Sequence, residues 1–216
     1  MLERMGEFFD ARIAGYEEHQ LNCIDSAQEF YPFTASCLPQ IPGAHILDLG
    51  CGTGLELGYY YEMVPSAVIT GIDLAPGMLG ELRNKYPDKS MTLILSSYFD
   101  CPFKERAYDA AVSVESLHHF TKEEKIPLYE KLRNAMKPEG YFILTDYFAF
   151  SDEEERFHHS ELLRLKKEQG IADEAFYHYD TPLTVKHETE ALLEAGFSYV
   201  EVLKNWGATY TIKAVR

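Results

Sequence analysis

Short runs of consecutive apolar residues alternate, from about residue 44 to residue 146, with stretches in which apolar positions recur every three or four residues. A run that is apolar on both faces is the mark of a buried strand in a parallel sheet, and the longer period is that of a helix. This reading predicts strands near 45–49, 67–72, 91–96, 108–114 and 140–146, with helices near 54–64, 76–86 and 121–136. Pro138-Glu139-Gly140 should stop the last of these helices and turn the chain into Tyr141-Phe142-Ile143-Leu144. Thr184 to Ala195 reads as a further helix closed by Gly196, and Phe197–Leu203 and Thr209–Val215 as two strands joined through Asn205-Trp206-Gly207. Strands that alternate with helices argue for βα units and a parallel, doubly wound sheet.

Two segments stand outside this alternation. Residues 1–38 read as amphipathic helices, with Phe8, Phe9, Ile13 and Tyr16 spaced to share a face. Residues 147–183 follow the fifth strand and are rich in charge, histidine and aromatic side chains, among them Phe148, Phe150, Phe157, His158, His159 and Phe176 to Tyr179. Ligands of doubly wound folds bind outside the carboxyl ends of the strands, so an insert at that edge is placed to act as a lid. The expected layout is one domain over 1–216: a helical N-terminal cap at 1–38, a core at 39–146, a lid insert at 147–183, and a C-terminal helix and hairpin at 184–216.

The strongest chemical signal is Ile46-Leu47-Asp48-Leu49-Gly50-Cys51-Gly52-Thr53-Gly54, a strand that runs into glycines at alternate positions before a helix. Glycine lets such a turn approach a ligand closely, and the helix beyond it presents free N–H groups. A dinucleotide fingerprint needs a third glycine where Leu55 stands. Asp48, Gly50, Gly52 and Gly54 instead resemble motif I of class I S-adenosylmethionine (SAM)-dependent methyltransferases of the small-molecule type. Ile69 to Leu79 is similar to that family's second strand and following helix, Ala107 to Ser113 to its fourth strand, and Leu132 to Asp146 to the helix, turn and fifth strand. Similar segments cover roughly 40–146 and resume at 183–215.

The resemblance implies an α/β Rossmann-like fold with a mostly parallel seven-stranded sheet, an antiparallel last strand, and SAM as cofactor. It implies cofactor contacts from Asp48, Gly50, Cys51, Gly52, Gly54, Asp73, Leu74, Met78, Ser97, Tyr98, Val114 and Glu115. Asp73 would accept the ribose hydroxyls, or serve only as the N-cap of the helix at Pro76; Leu74 would lie against adenine. Asp48 would help hold the ammonium side of the cofactor, or only brace the turn. Relatives carry an acidic residue five positions before the proline of a Pro-Phe pair; here Pro102-Phe103 is present but that position is Ser97, so Ser97, Tyr98 or Asp100 would contact the adenine edge. Val114 to Phe120 resembles the segment that passes beneath the sulfonium. His119, Glu115 and Tyr16 are then the candidate catalytic groups, needed as a base only if the acceptor carries a proton, with Tyr147, His158 and His178 on the acceptor side. His118 and His119 also read as plain loop residues.

Composition narrows the partners. A formal net charge of −15, with no clustered basic run, disfavours nucleic acid and anionic membranes and favours a small-molecule methyl acceptor. No apolar run approaches the ~20 residues that span a bilayer. The N-terminus has no secretory pattern, and Cys23, Cys37, Cys51 and Cys101 form no Cys-x-x-Cys pair, which points to reduced thiols in the cytoplasm. Adjacent histidines (His118/His119 and His158/His159) lack the i,i+4 spacing of a helical metal site, so no metal is expected. The two aromatic caps could pair subunits as a homodimer. The alternatives are a SAM-binding protein without transferase activity, a SAM-modifying enzyme like carboxy-SAM synthase, or, more remotely, a nicotinamide binder.

Overall fold

A computed structural model describes residues 1–172 and 175–216. The strands are β1 (His45–Leu49), β2 (Val68–Asp73), β3 (Met91–Leu95), β4 (Tyr108–Val114), β5 (Met136–Tyr147), β6 (Tyr199–Trp206) and β7 (Thr209–Val215). They form one sheet in the order β3-β2-β1-β4-β5-β7-β6, in which β7 runs antiparallel between β5 and β6. This is the mixed seven-stranded, Rossmann-like arrangement that the resemblance implied, with the antiparallel strand last in sequence. The order reverses between β1 and β4, so their carboxyl ends, at Gly50 and Glu115, flank the crevice where such folds place ligands.

The helices are α1 (Met5–Asp10), α2 (Tyr16–Cys23), α3 (Ala27–Ser36), α4 (Leu55–Met63), α5 (Pro76–Lys85), α6 (Lys122–Ala135), α7 (Asp152–Glu168) and α8 (Val185–Glu194), with a 3₁₀ turn at Leu117–His119. Period-two alternation in β1 divides the core. Leu47 and Leu49 pack with Leu128, Tyr129, Leu132 and Leu192 of α6 and α8. Ile46 packs on the other face with Phe30, Leu57, Tyr60 and Leu82 of α3, α4 and α5. Thr121 and Glu124 close a reciprocal capping box on α6, which is why that helix starts where Thr-Lys-Glu-Glu occurs.

Three expectations are corrected. β5 begins at Met136, before Pro138-Glu139-Gly140, and not after it. Met136 pairs with Tyr108 and Tyr141 with Ala110, so the intervening residues bulge, and Pro138, which has no N–H to donate, is accommodated there. Phe8, Phe9, Ile13 and Tyr16 do not share one helical face: α1 ends at Asp10, and Gly15 (φ 89°) turns the chain before α2. The hairpin turn falls at Gly207-Ala208, one residue beyond the expected Asn205-Trp206-Gly207. No helix among the described residues is long and apolar enough to cross a membrane.

Candidate functional site

Gly50, Gly52 and Gly54 all take left-handed angles (φ 70°, 46° and 70°) that strain any residue with a Cβ. A Cβ at Gly50 would also run into Ser116 Oγ, and one at Gly54 would lie 2.6 Å from Leu82 Cδ1. At Gly52 nothing lies nearer than Tyr16 Oη at 3.8 Å, so this face of the loop opens onto a cavity. Two carboxylate oxygens set the loop: Asp73 Oδ2 accepts from Gly52 N (2.9 Å) and Asp73 Oδ1 from Ala75 N (2.8 Å). Gly50→Ala is therefore expected to lower thermal stability by about 1–3 kcal/mol and to weaken cofactor binding, read by thermal unfolding and calorimetry.

The cavity is walled by the glycine loop, Asp73, Leu74, Met78 and Tyr98, by Val114 to Ser116 and His119 beyond β4, and by Met5, Phe9 and Tyr16 from the N-terminal helices. Those helices are tied down over it. Asp10 Oδ1 accepts from Gly77 N (2.9 Å) at the start of α5, and Met5 N and His178 N donate to Phe176 O and Glu3 O (2.9 and 3.0 Å). The N-terminal segment and the coil after α7 thus zip together above the crevice. A wider groove adjoins the cavity, lined by His118, Tyr147, His178, Asp180 and the first two helices. Phe9, Tyr16, Glu115 and His119 border both spaces.

That border is rich in perturbed titratable groups. Glu115 has φ 49°, unusual for a side chain of its size, and one carboxylate oxygen buried without a hydrogen-bond partner. Burial first, then the charge of Asp146, pushes its carboxyl up to about 8. His118 holds Asp146 Oδ1 through Nδ1 at 2.5 Å; burial alone would lower its basicity, but Asp146 and Asp180 carry it up to about 9. His119 is lowered, by burial and then by the charge on His118. Burial, then Asp73, holds the Tyr16 hydroxyl well above its ordinary range.

Residues 46–140 match a family profile described as a methyltransferase domain. The match spans somewhat under half of the chain, and over that stretch the protein is similar to class I SAM-dependent methyltransferases. It is 31% identical over 121 residues to the tRNA (carboxymethyluridine(34)-5-O)-methyltransferase of Arabidopsis thaliana, covering 55% of this chain and 28% of the relative. It is 26% identical over 183 residues to the carboxy-S-adenosyl-L-methionine synthase of Campylobacter concisus, covering 80% of this chain and 76% of the relative. The fold is similar to that of a SAM-dependent methyltransferase from Mesorhizobium loti, with a TM-score of 0.62, 21% identity, and 86% and 96% of the two chains covered. The chain thus spans well under two thirds of the first relative's length.

The cavity suits the cofactor of this methyltransferase family. A buried, unpartnered oxygen on Glu115 faces a donor or a cation placed in the cavity, and the open face at Gly52 leaves room for one. Of the residues singled out in the sequence, Gly50, Gly52, Asp73, Leu74, Met78, Tyr98, Val114, Glu115, Tyr16 and His119 line the cavity. Four stand behind its wall. Cys51 turns its thiol into the core against the space at Gly71. Gly54 packs on Leu57 and Leu82. Ser97 Oγ accepts from Phe99 N (3.1 Å) in a local turn. Asp48 is buried next to Glu56, and burial together with that second carboxyl raises it well above the ordinary range. Asp100 is exposed, away from the cavity. Tyr147 and His178 border the groove, whereas His158 lies on α7, which has no buried residue. Sequence reasoning did not single out Asp10, Asp146 or Asp180 for a role. Asp146 alone carried a signal, as a polar residue at the carboxyl end of β5.

Proposed function

We propose that this protein transfers the methyl group of SAM to a small-molecule acceptor held in the groove. The observation that carries the reading is the border shared by cavity and groove, because a methyl donor and its acceptor must meet through one opening. The bound cofactor would supply a methyl group on a sulfonium, which is already electrophilic. The chain's own task is to hold, align and exclude water. Asp73 would hold the ribose hydroxyls with the lone pairs left free by Gly52 and Ala75. Leu74, Met78 and Tyr98 would enclose the adenine, and the loop amides the methionine portion. Glu115 would face the cation, and Tyr16, donated by the N-terminal segment, would close the cavity from above. Segments 1–38 and 175–183 would act together as the cap.

Among the three candidate bases, His119 fits best. Tyr16 and Glu115 both hold their protons at neutral pH, while His119 is held neutral with a free lone pair. The tRNA acceptor of the Arabidopsis relative is not carried over, since a net charge of −15 opposes a phosphate backbone. Nor is cofactor carboxylation, because a new carboxylate at the border would meet the carboxyl groups of Glu115 and Asp180. Four free cysteines, two of them buried, suit a reducing, cytoplasmic setting.

Calorimetric titration with SAM and with S-adenosylhomocysteine tests the first step, and methyl transfer from labelled SAM to a metabolite panel tests the second. Because Glu115 is pushed up to about 8, it is largely protonated at pH 7 in the free protein. A cation placed against it lowers that value, so SAM binding should release a proton, seen as a buffer-dependent enthalpy. Glu115→Gln should bind SAM with less proton release; equal release in both proteins would remove Glu115 from the sulfonium.

A further inference from the structure

On the groove side of the border, three side chains converge. Asp180 Oδ1 lies 3.2 Å from His119 Nδ1 and 3.6 Å from His118 Nε2. One donor atom from each of the three residues lies within 4.8 Å of the others. Zinc-type ions hold imidazole nitrogen and carboxylate oxygen at roughly 2.0–2.2 Å, which in a tetrahedral shell separates neighbouring ligand atoms by roughly 3.3–3.5 Å. The two Asp180 distances bracket that spacing. An ion between them would take the place of the proton that His119 Nδ1 shares with Asp180 Oδ1 and Tyr179 O (both 3.2 Å).

We propose that His118, His119 and Asp180 form a binding site for a divalent cation of the zinc or ferrous class. Two histidines and one carboxylate are the donor set that suits such ions, and three protein ligands leave coordination positions open. A second carboxylate completes the arrangement. Asp146 Oδ1 meets His118 Nδ1 at 2.5 Å, and Asp146 Oδ2 accepts from Leu117 N at 2.8 Å. The aspartate is thereby fixed to the backbone, and the ring is turned so that Nε2 faces Asp180. A carboxylate that holds the far nitrogen of a ligating histidine is the usual support of a metal site. Charge balance points the same way. Asp146 and Asp180 place two carboxylates on these two rings, so that a divalent ion and neutral imidazoles leave no excess charge. Asp180 is about half exposed and opens the route from the groove, while both histidines are buried.

This inference rests on the reading that the groove holds the methyl acceptor, and it names the acceptor's class. An ion with open positions here would take a hydroxyl or phenol oxygen. It would lower the pKa of that oxygen so that the proton leaves to solvent, and His119 would then serve as a ligand in place of a base.

The test uses the full chain, stripped with a chelator and titrated with Zn²⁺ against a chromophoric competitor, with Co²⁺ absorption as the spectroscopic readout. One equivalent should bind with micromolar or tighter affinity, and Co²⁺ should show visible bands of a four- or five-coordinate site. His118→Ala and Asp180→Ala should each lose binding by at least on the order of 100-fold, and Asp146→Asn, a positioning change, by roughly 10–100-fold. Asp180→Ala, at a half-exposed position, serves as the variant expected to fold. Absence of stoichiometric binding by the folded chain, or binding unchanged in Asp180→Ala, would overturn the site. SAM titrated in the presence of chelator keeps the two readings apart. Tight SAM binding without cation binding sinks the cation site alone. Cation binding without SAM binding supports the site and overturns its role toward an acceptor.

Discussion

Asp73→Ala is expected to weaken SAM binding on the order of 100-fold or more, since each hydrogen bond to a charged group is worth about 1.5–3 kcal/mol and the carboxylate is placed to accept two from the ribose. The structure adds a second cause. Asp73 already accepts from Gly52 N and Ala75 N, so its removal also frees the glycine loop that should close on the cofactor. Both effects act on the bound state and little on the core, because Asp73 sits at the end of β2 and its carboxylate reaches only the loop and the α5 entrance. Circular dichroism should stay close to that of the parent while calorimetry shows the loss. Undiminished SAM affinity in a folded Asp73→Ala protein would remove Asp73 from the cofactor site.

The largest effect on stability is expected far from the cavity, at Glu188 on α8. Lys125 Nζ lies 2.6 Å from Glu188 Oε2, with side-chain exposures of 2% and 0%, and Tyr129 donates its hydroxyl to the same carboxylate. The pair clamps α6 to α8 on one face of the sheet. Glu188→Ala would strand a buried ammonium and the Tyr129 hydroxyl, at a cost of about 3–5 kcal/mol. Replacing both partners with apolar residues of similar size, as in Lys125→Met with Glu188→Leu, should recover most of that loss, because the desolvation of both charges is removed with them. Chemical denaturation of the two variants decides the matter. A Glu188→Ala midpoint within experimental error of the parent would show that water reaches the pair.

The parts of this protein legible from the chain are those in which a residue's neighbours in sequence are also its neighbours in space. Strands β1, β2 and β4 stand out as apolar runs because both their faces are covered. The glycine loop reads directly from Asp48 to Gly54, since each glycine answers a backbone angle set within a few residues. Boundaries were less legible where pairing decides them. Pro138 would end a strand considered alone, and it survives inside β5 only because the partner strand β4 leaves a bulge opposite it. The exposed charged helix α7 and the coil that follows it look alike in composition, yet only the coil borders the groove.

By itself, then, the sequence determined the class of fold, the place of the glycine loop and the family it resembles, because local backbone requirements and burial period write themselves into residue type. The tertiary structure alone decided what surrounds the reactive border. His118 and His119 were indistinguishable from loop residues until β5 brought Asp146 under one ring and the chain, after a long excursion through α7, returned Asp180 to both. Their charges depend on burial and on partners 28 to 60 residues distant in the chain, at Asp146 and at Tyr179. Burial and charge–charge coupling at that range belong to the folded surface and have no signature in residue spacing.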